Sequence, residues 1–392
     1  MKTKIFALFM LFPVIFLTGC YDLKEIDETA YIVALGIDNG SENNFSYTFQ
    51  FSSPLSIMEN SAEGQPEPKK EENSSVTTLT IMAPDFYIAK NLTNNFLSKN
   101  IDMSHLKLIV FSAEVDETGI TKHSQLLLRE REVRPHTSIA ISPDLAADYL
   151  KNVNPELESN TSKYYELMSL RSNNIYTPSQ KLHDFVDSIE TRDRDTTLPI
   201  ATKGENVNVF PKDSHIHEWI TPSASEISAK HSVLCGMAVF EGGKLTSAMD
   251  ADSSMLFNFL SHNIENFVVS IKDNYNPTEA LSFRIITTRP ASFNIDLKKK
   301  EIQVSQKCEI SFLGSHIPKG YASKQAISDY ALSILNMRVT DFLTHTYHTQ
   351  TADIFNLKDC IRKDFFLWED WNTFDFESFY KTADFIVDIK NL

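Results

Sequence analysis

The chain has 392 residues, 42% of them hydrophobic and 11% aromatic, with a formal net charge of −15. That length exceeds what one typical core holds, so two or three domains are expected, and the apolar content excludes general disorder. The acidic balance gives no electrostatic reason to bind nucleic acid and is repelled by anionic lipid, so any hold on a membrane must come from something other than a basic patch.

Lys2 and Lys4 precede an apolar run from Ile5 to Leu17 that is broken only by Pro13. The run is shorter than the roughly 20 residues of a spanning helix, so residues 1–19 read as a secretory signal. It ends in Leu17-Thr18-Gly19-Cys20. Leu17, Thr18 and Gly19 are small or apolar residues that a signal peptidase can bind in extended form, and the Cys20 sulfur can become a thiolate and take a lipid. The pattern resembles a lipobox. It implies cleavage before Cys20 and anchoring to the bilayer on the extracytoplasmic face, where two acyl chains hold durably and one does not. No later apolar run reaches about 18 residues, so the remainder is expected to be soluble.

The mature part reads as an α+β protein of several mixed α/β domains, each with a largely antiparallel or mixed sheet flanked by helices. Residues 20–202 form an N-terminal α/β region of one or two subdomains, 203–230 a linker, and 231–392 a C-terminal α/β domain. Thr29 to Asp38 and Phe45 to Ser52 read as strands around a turn-rich Gly36 to Asn44 segment. Glu59 to Ser74 is a polar loop, and Ser75 to Met82 a strand. Phe86, Ala89, Leu92 and Phe96 mark a helix face, followed by a strand at Leu106 to Phe111 and a helix at Thr121 to Arg131. Ser138 to Ser142 is a strand, and Ser142-Pro143 suits the start of a helix through Leu150.

The second half opens with a strand at Ser232 to Phe240, a turn at Gly242-Gly243 and a helix near Ser253 to His262. Strands run from Phe267 to Phe312 with a turn at Lys298 to Lys300. A long helix over Lys324 to His345 buries Ile327, Ala331, Ile334, Leu335 and Phe342. Short helices near Phe355 and Phe365 precede a last strand at Ala383 to Ile389.

No phosphate-binding glycine loop and no GxSxG or HExxH pattern occurs, so no catalytic site, cofactor or metal is expected. His215-Ile216-His217-Glu218 has ligand types but sits in the linker without partner cysteines. His345 and His348 suit a helix C-terminus. Arg129 to Arg134 reads as a solvated helix end with local ion pairs, or as a partner surface. Trp368 and Trp371 flank Glu369 and Asp370 and read as core, with an exposed docking patch as the alternative. Beyond Cys20 the cysteines are Cys235, Cys308 and Cys360, so at most one disulfide can form, and buried free thiols are expected.

Several stretches together resemble the C-subunit lipoproteins of spore nutrient germinant receptors, the Ger(x)C family. They are Gly19 to Asp27 continuing into Val33-Ala34-Leu35-Gly36-Ile37-Asp38, Leu106 to Glu114, Leu128 to Arg134, Cys235 to Phe240 followed by Lys244-Leu245, and Asp353-Ile354-Phe355 to Trp371 closing on Phe385 to Ile389. Tyr21, Ser247 and Ser253-Ser254-Met255 depart from the usual pattern. The resemblance implies a non-catalytic subunit with mixed α/β domains. Its partners would be an A-type and a B-type membrane subunit in the spore inner membrane, where small nutrients trigger germination. A substrate-binding lipoprotein of a membrane transporter is the alternative, recognisable by two lobes around a ligand cleft.

Overall fold

Strand β1 (Thr29–Asn39) is buried from Ile32 to Asp38. Its apolar side chains divide between two faces: Ile32, Leu35 and Ile37 enter one core, and Val33 and Ala34 another. A strand covered on both sides suits the interior of a mixed sheet, and β1 lies there. The computed structural model describes residues 28–52, 76–169, 174–203, 232–349 and 352–392, apart from 43, 154, 156, 157, 159, 192, 193 and 277. Leu17, Thr18, Gly19 and Cys20, the Glu59 to Ser74 loop, and the His215 to Glu218 cluster lie outside the described residues.

The first sheet contains β2 (Phe45–Ser52), β3 (Val76–Ala83), β4 (Asn100–Asp102), β5 (Leu108–Ser112), β6 (Ser138–Ser142), β7 (Asp195–Lys203), β8 (Ser232–Glu241) and β9 (Lys244–Met249) beside β1, in the order β3-β2-β1-β5-β6-β7-β8-β9 with β4 on β1. The central pairs β1–β5, β5–β6 and β6–β7 are parallel. The flanking pairs are antiparallel. Helices α1 (Phe86–Phe96), α2 (Glu117–Arg129), α3 (Ala146–Lys151), α4 (Thr161–Met168) and α5 (Leu182–Glu190) cover both faces. Phe86, Ile120, Leu127, Leu182 and Phe185 of α1, α2 and α5 pack on one side, and Tyr149, Leu150 and Tyr165 of α3 and α4 on the other. Gly36 lets α3 lie close on β1, because a Cβ there would stand 3.1 Å from Leu150 Cδ1 and 3.2 Å from Ala146 Cβ.

Two local expectations are corrected. The helix after β6 begins at Ala146, not at Pro143, and Leu145 at its cap position makes no side-chain hydrogen bond. Asp38 at the end of β1 does that work instead, accepting the Ala146 N–H at 2.6 Å and the Ala147 N–H at 3.0 Å. On α1, Thr93 is buried and Phe96 is exposed, so the buried stripe turns away from the expected Phe96.

The second sheet holds β10 (Asn266–Lys272), β11 (Ala280–Thr287), β12 (Ser292–Asp296), β13 (Glu301–Phe312) and β14 (Asp384–Asn391), all antiparallel except β14, which runs parallel to β13. Along β13 the buried Ile302, Val304, Gln306, Cys308 and Ile310 alternate with exposed Gln303, Ser305, Lys307 and Glu309. The inner face packs on α6 (Ala251–Leu260) and α7 (Lys324–Thr344), whose buried residues include the expected Ile327, Ala331, Ile334, Leu335 and Phe342. Asn336 of α7 reads the β14 backbone, accepting the Ile389 N–H at 2.9 Å and donating to the Ile389 carbonyl at 3.3 Å.

The expected domain division at 203–230 meets a difference. β8 and β9, which the sequence assigns to a separate C-terminal domain, extend the first sheet through β7. The reason lies in four consecutive apolar residues of β8, which suit a strand buried on both faces. Ala238 and Phe240 enter the first core, while Met237 and Val239 enter the second. β8 is thus a wall shared by both.

Candidate interaction site

A chain segment rich in aromatic residues returns from α7 to β14 and binds the two sheets together. α7 ends in a wide turn over His345–Thr349, followed by α8 (Leu357–Ile361), α9 (Trp368–Thr373) and α10 (Phe376–Thr382). Asp353 is fully buried at its centre. Its carboxylate accepts the Tyr347 and Tyr380 hydroxyls at 3.0 Å each, the Leu357 N–H at 2.7 Å and the Lys358 N–H at 2.8 Å. Four donors satisfy what burial would otherwise make costly, and burial still holds the Asp353 carboxyl above its ordinary range. The backbone N–H of Asp353 in turn donates to Asp195, the first residue of β7, at 2.5 Å. Burial pushes Asp195 up to about 6 against the pull of that N–H. Beside it, Arg194 spans Asp187 of α5 at 3.3 Å and Asp359 of α8 at 3.2 Å.

The tryptophan pair divides. Trp371 is core, 5% exposed, edge-on to Phe365 and Phe376 with ring centroids 5.6 Å and 4.7 Å away. Trp368 is 58% exposed. The Arg362 guanidinium lies over both indoles, 4.2 Å from the centroid of Trp368 and 5.2 Å from that of Trp371. Just before Trp368 in the chain, Phe366 is 99% exposed and Leu367 53%. An apolar tip is thereby held on a packed aromatic base.

The other sequence-marked residues go elsewhere. In the Arg129 to Arg134 run, Glu130 and Glu132 pair with Lys90 of α1 at 3.4 Å and 3.0 Å, so the ion pairs tie two helices together and are not local. His348 hydrogen-bonds the Ala383 carbonyl at 2.8 Å, fixing the wide turn to the start of β14. Cys235, Cys308 and Cys360 are free thiols, and burial pushes Cys235 up to about 11 and Cys308 up to about 12. No group of metal-ligand side chains occurs among the described residues, and no described helix is long and apolar enough to cross a membrane.

Sequence reasoning missed three polar features. Asp195 and Arg194 close a charged Arg-Asp-Arg-Asp run before a buried strand, and that abrupt change was the available signal. His123 is buried on α2, with Nδ1 donating to the Gly119 carbonyl at 2.7 Å and Nε2 therefore accepting the Tyr47 hydroxyl at 2.7 Å. Burial lowers the His123 pKa, consistent with a neutral ring. Asp252 of α6 and Arg338 of α7 form a buried ion pair at 3.0 Å.

The model for the spore germination protein N-terminal domain matches residues 22–203, and that for the spore germination B3/GerAC-like C-terminal domain matches 235–391. The chain belongs to this GerAC family of spore germination proteins. It is similar to spore germination protein A3 of Bacillus subtilis (strain 168), 25% identical over 43% of this chain and 42% of that protein. It is also similar to spore germination protein GerQC of Bacillus cereus, 24% identical over 52% of this chain and 53% of that protein. The chain spans about half the length of the curated relatives it matches. The crystal structure of the GerBC protein shares the fold with a TM-score of 0.51 and 14% identity, covering 91% of this chain and 95% of that one. The first GerAC match ends with β7 and the second begins inside β8, two strands that pair in the first sheet. The Asp195–Asp353 bond therefore links the two matched parts.

Proposed function

We propose that this chain is a non-catalytic, lipid-anchored subunit of a membrane receptor complex that triggers endospore germination in response to nutrients. The carrying observation is the order of its parts: the GerAC matches at 22–203 and 235–391 follow directly on Leu17-Thr18-Gly19-Cys20. In this reading the signal is removed, Cys20 is acylated, and the body works beside A-type and B-type membrane subunits at the spore inner membrane. Joined sheets and satisfied buried carboxylates suit a rigid interaction body. The pocket lined by Tyr165, Met168, Gln180 and Leu234 offers about 20 Å³, room for one water. Small-molecule sites take roughly 300–1,000 Å³, so this pocket gives the transporter-type reading no support.

The test is Cys20→Ala in sporulating cells that carry no other copy. The variant is expected to lose radiolabelled palmitate, leave the membrane fraction and germinate poorly on nutrients. Affinity purification of the wild-type protein from spore membranes should bring down two multi-span subunits. Normal nutrient germination with the variant would overturn the reading.

A further inference from the structure

We propose that the Phe366-Leu367-Trp368 tip is a membrane contact, seated in the interfacial layer of the bilayer that holds the chain and fixing the face it turns to that surface. The proposal rests on the tether at Cys20. Three consecutive apolar side chains exposed by 99%, 53% and 58% form the tip. At about 150–250 Å² for an aromatic side chain, they present roughly 400 Å² of contiguous apolar surface, as large as the biggest patch on a typical soluble protein. The tip is built and not frayed. The Phe365 N–H donates to the Arg362 carbonyl at 3.1 Å, and the Trp371 N–H donates to Leu367 at 3.3 Å, opening α9. Phe365 packs edge-on against Trp371 underneath.

Area and reach select the occupant. A stable protein partner covers about 800 Å² on each side, about twice what this tip offers. A bilayer needs less, because the tether supplies a high local concentration and leaves only orientation to be decided. Eight residues separate Cys20 from Thr29. At about 3.5 Å each they span at most roughly 30 Å, so the tether keeps the body close against the surface. The chemistry also fits. Trp with neighbouring Arg and Lys is the composition of the membrane–water interface, where an indole sits at headgroup depth and cations meet phosphate oxygens. Arg362 and Lys363 flank one side of the tip, and Asp364, Glu369 and Asp370 are close in sequence, so the flanks carry no net positive charge. The contact is therefore apolar in origin, works on zwitterionic lipid, and resists salt.

The acylated full chain in phosphatidylcholine vesicles brominated on their acyl chains tests this by tryptophan fluorescence. Quenching is expected that survives high salt. It should fall in Trp368→Phe to what Trp219 and Trp371 retain, and by a similar amount in the Phe366→Ser, Leu367→Ser double variant, whose replaced side chains are outside the core. A chain that floats with vesicles and shows its acyl mass but is not quenched overturns the tip contact and leaves the tether standing. A Cys20→Ala chain without acylation is expected to show no quenching, and quenching as strong as in the acylated chain would overturn the dependence of the tip contact on the tether. Photo-crosslinking from position 366 in native membranes to a polypeptide and not to lipid would also overturn the proposal.

Discussion

Asp195 and Asp353 stand 158 residues apart in sequence, yet the Asp195 carboxylate accepts the Asp353 backbone N–H at 2.5 Å. One residue opens β7 in the first sheet, and the other organises the aromatic segment of the second core. Any motion that separates these parts must strip a buried carboxylate of its donor. That cost couples them mechanically.

Asp195 gives the protein a defined pH dependence. Its carboxyl moves from an ordinary 3.8 to about 6 on folding, chiefly through burial, with Asp353 and Glu241 adding and Lys358 opposing. The folded state then holds a proton that the unfolded chain has lost, so stability is full below about pH 4 and falls as pH rises through about 6. The shift corresponds to roughly 3 kcal/mol. Asp195→Asn keeps an oxygen for the Asp353 N–H and cannot ionise. Urea unfolding midpoints from pH 4 to 7 should decline in the wild type and decline less steeply in the variant, leaving what Asp38 and Asp353 contribute. Parallel profiles would refute this assignment.

Asp353 itself should be the more damaging site. Asp353→Ala leaves two tyrosine hydroxyls and two backbone N–H groups without their acceptor in a buried place, a loss of about 3–5 kcal/mol. Tyr347→Phe and Tyr380→Phe each remove one donor and leave three, and should cost about 1 kcal/mol each. Denaturant titrations of the three variants would establish the order, and a cost for Asp353→Ala no larger than for either tyrosine would contradict the network.

Much of the architecture was legible because its signals are local. The alternation along β2 and the apolar stripe of α7 placed those elements to within a residue or two, since side-chain period depends only on neighbours, while the second sheet was legible only as a run of strands from Phe267 to Phe312. Features set by distant residues were not legible. Ser142-Pro143 carries a good local helix start, but the cap of α3 comes from Asp38, 108 positions earlier. The linker between β7 and β8 reads as a boundary in composition, while pairing joins the strands across it. For the aromatic segment, composition alone treats Trp368 and Trp371 as equivalent. Only packing shows that one is core and the other exposed.

Asp38 offers a clean test of that long-range cap. Its two oxygens serve the first two N–H groups of a six-residue helix that has no side-chain cap of its own. Asp38→Ala should cost about 2 kcal/mol, the upper end for cap removal, because the site is buried. Asp38→Asn retains an acceptor and should recover part of it. Equal midpoints for both variants would show that the carboxylate does something other than cap.

The shared strand β8 depends on one glycine. Gly236 has φ of +84°, and a Cβ there would fall 2.7 Å from the Met249 carbonyl oxygen, a backbone atom that cannot rotate away. Gly36 differs: its conformation is ordinary, and the nearest atom to a new Cβ is Leu150 Cδ1 at 3.1 Å, on a side chain that can shift. Gly236→Ala combines left-handed strain of about 1–2 kcal/mol with a backbone clash, so it should cost more than Gly36→Ala, although both glycines fall in stretches that resemble the family. Because Met237 and Val239 face one core while Ala238 and Phe240 face the other, the Gly236 variant should loosen both. Hydrogen exchange measures this directly: amides of β7 and of α6 should lose protection together in Gly236→Ala, and loss confined to either would show that the two cores open independently.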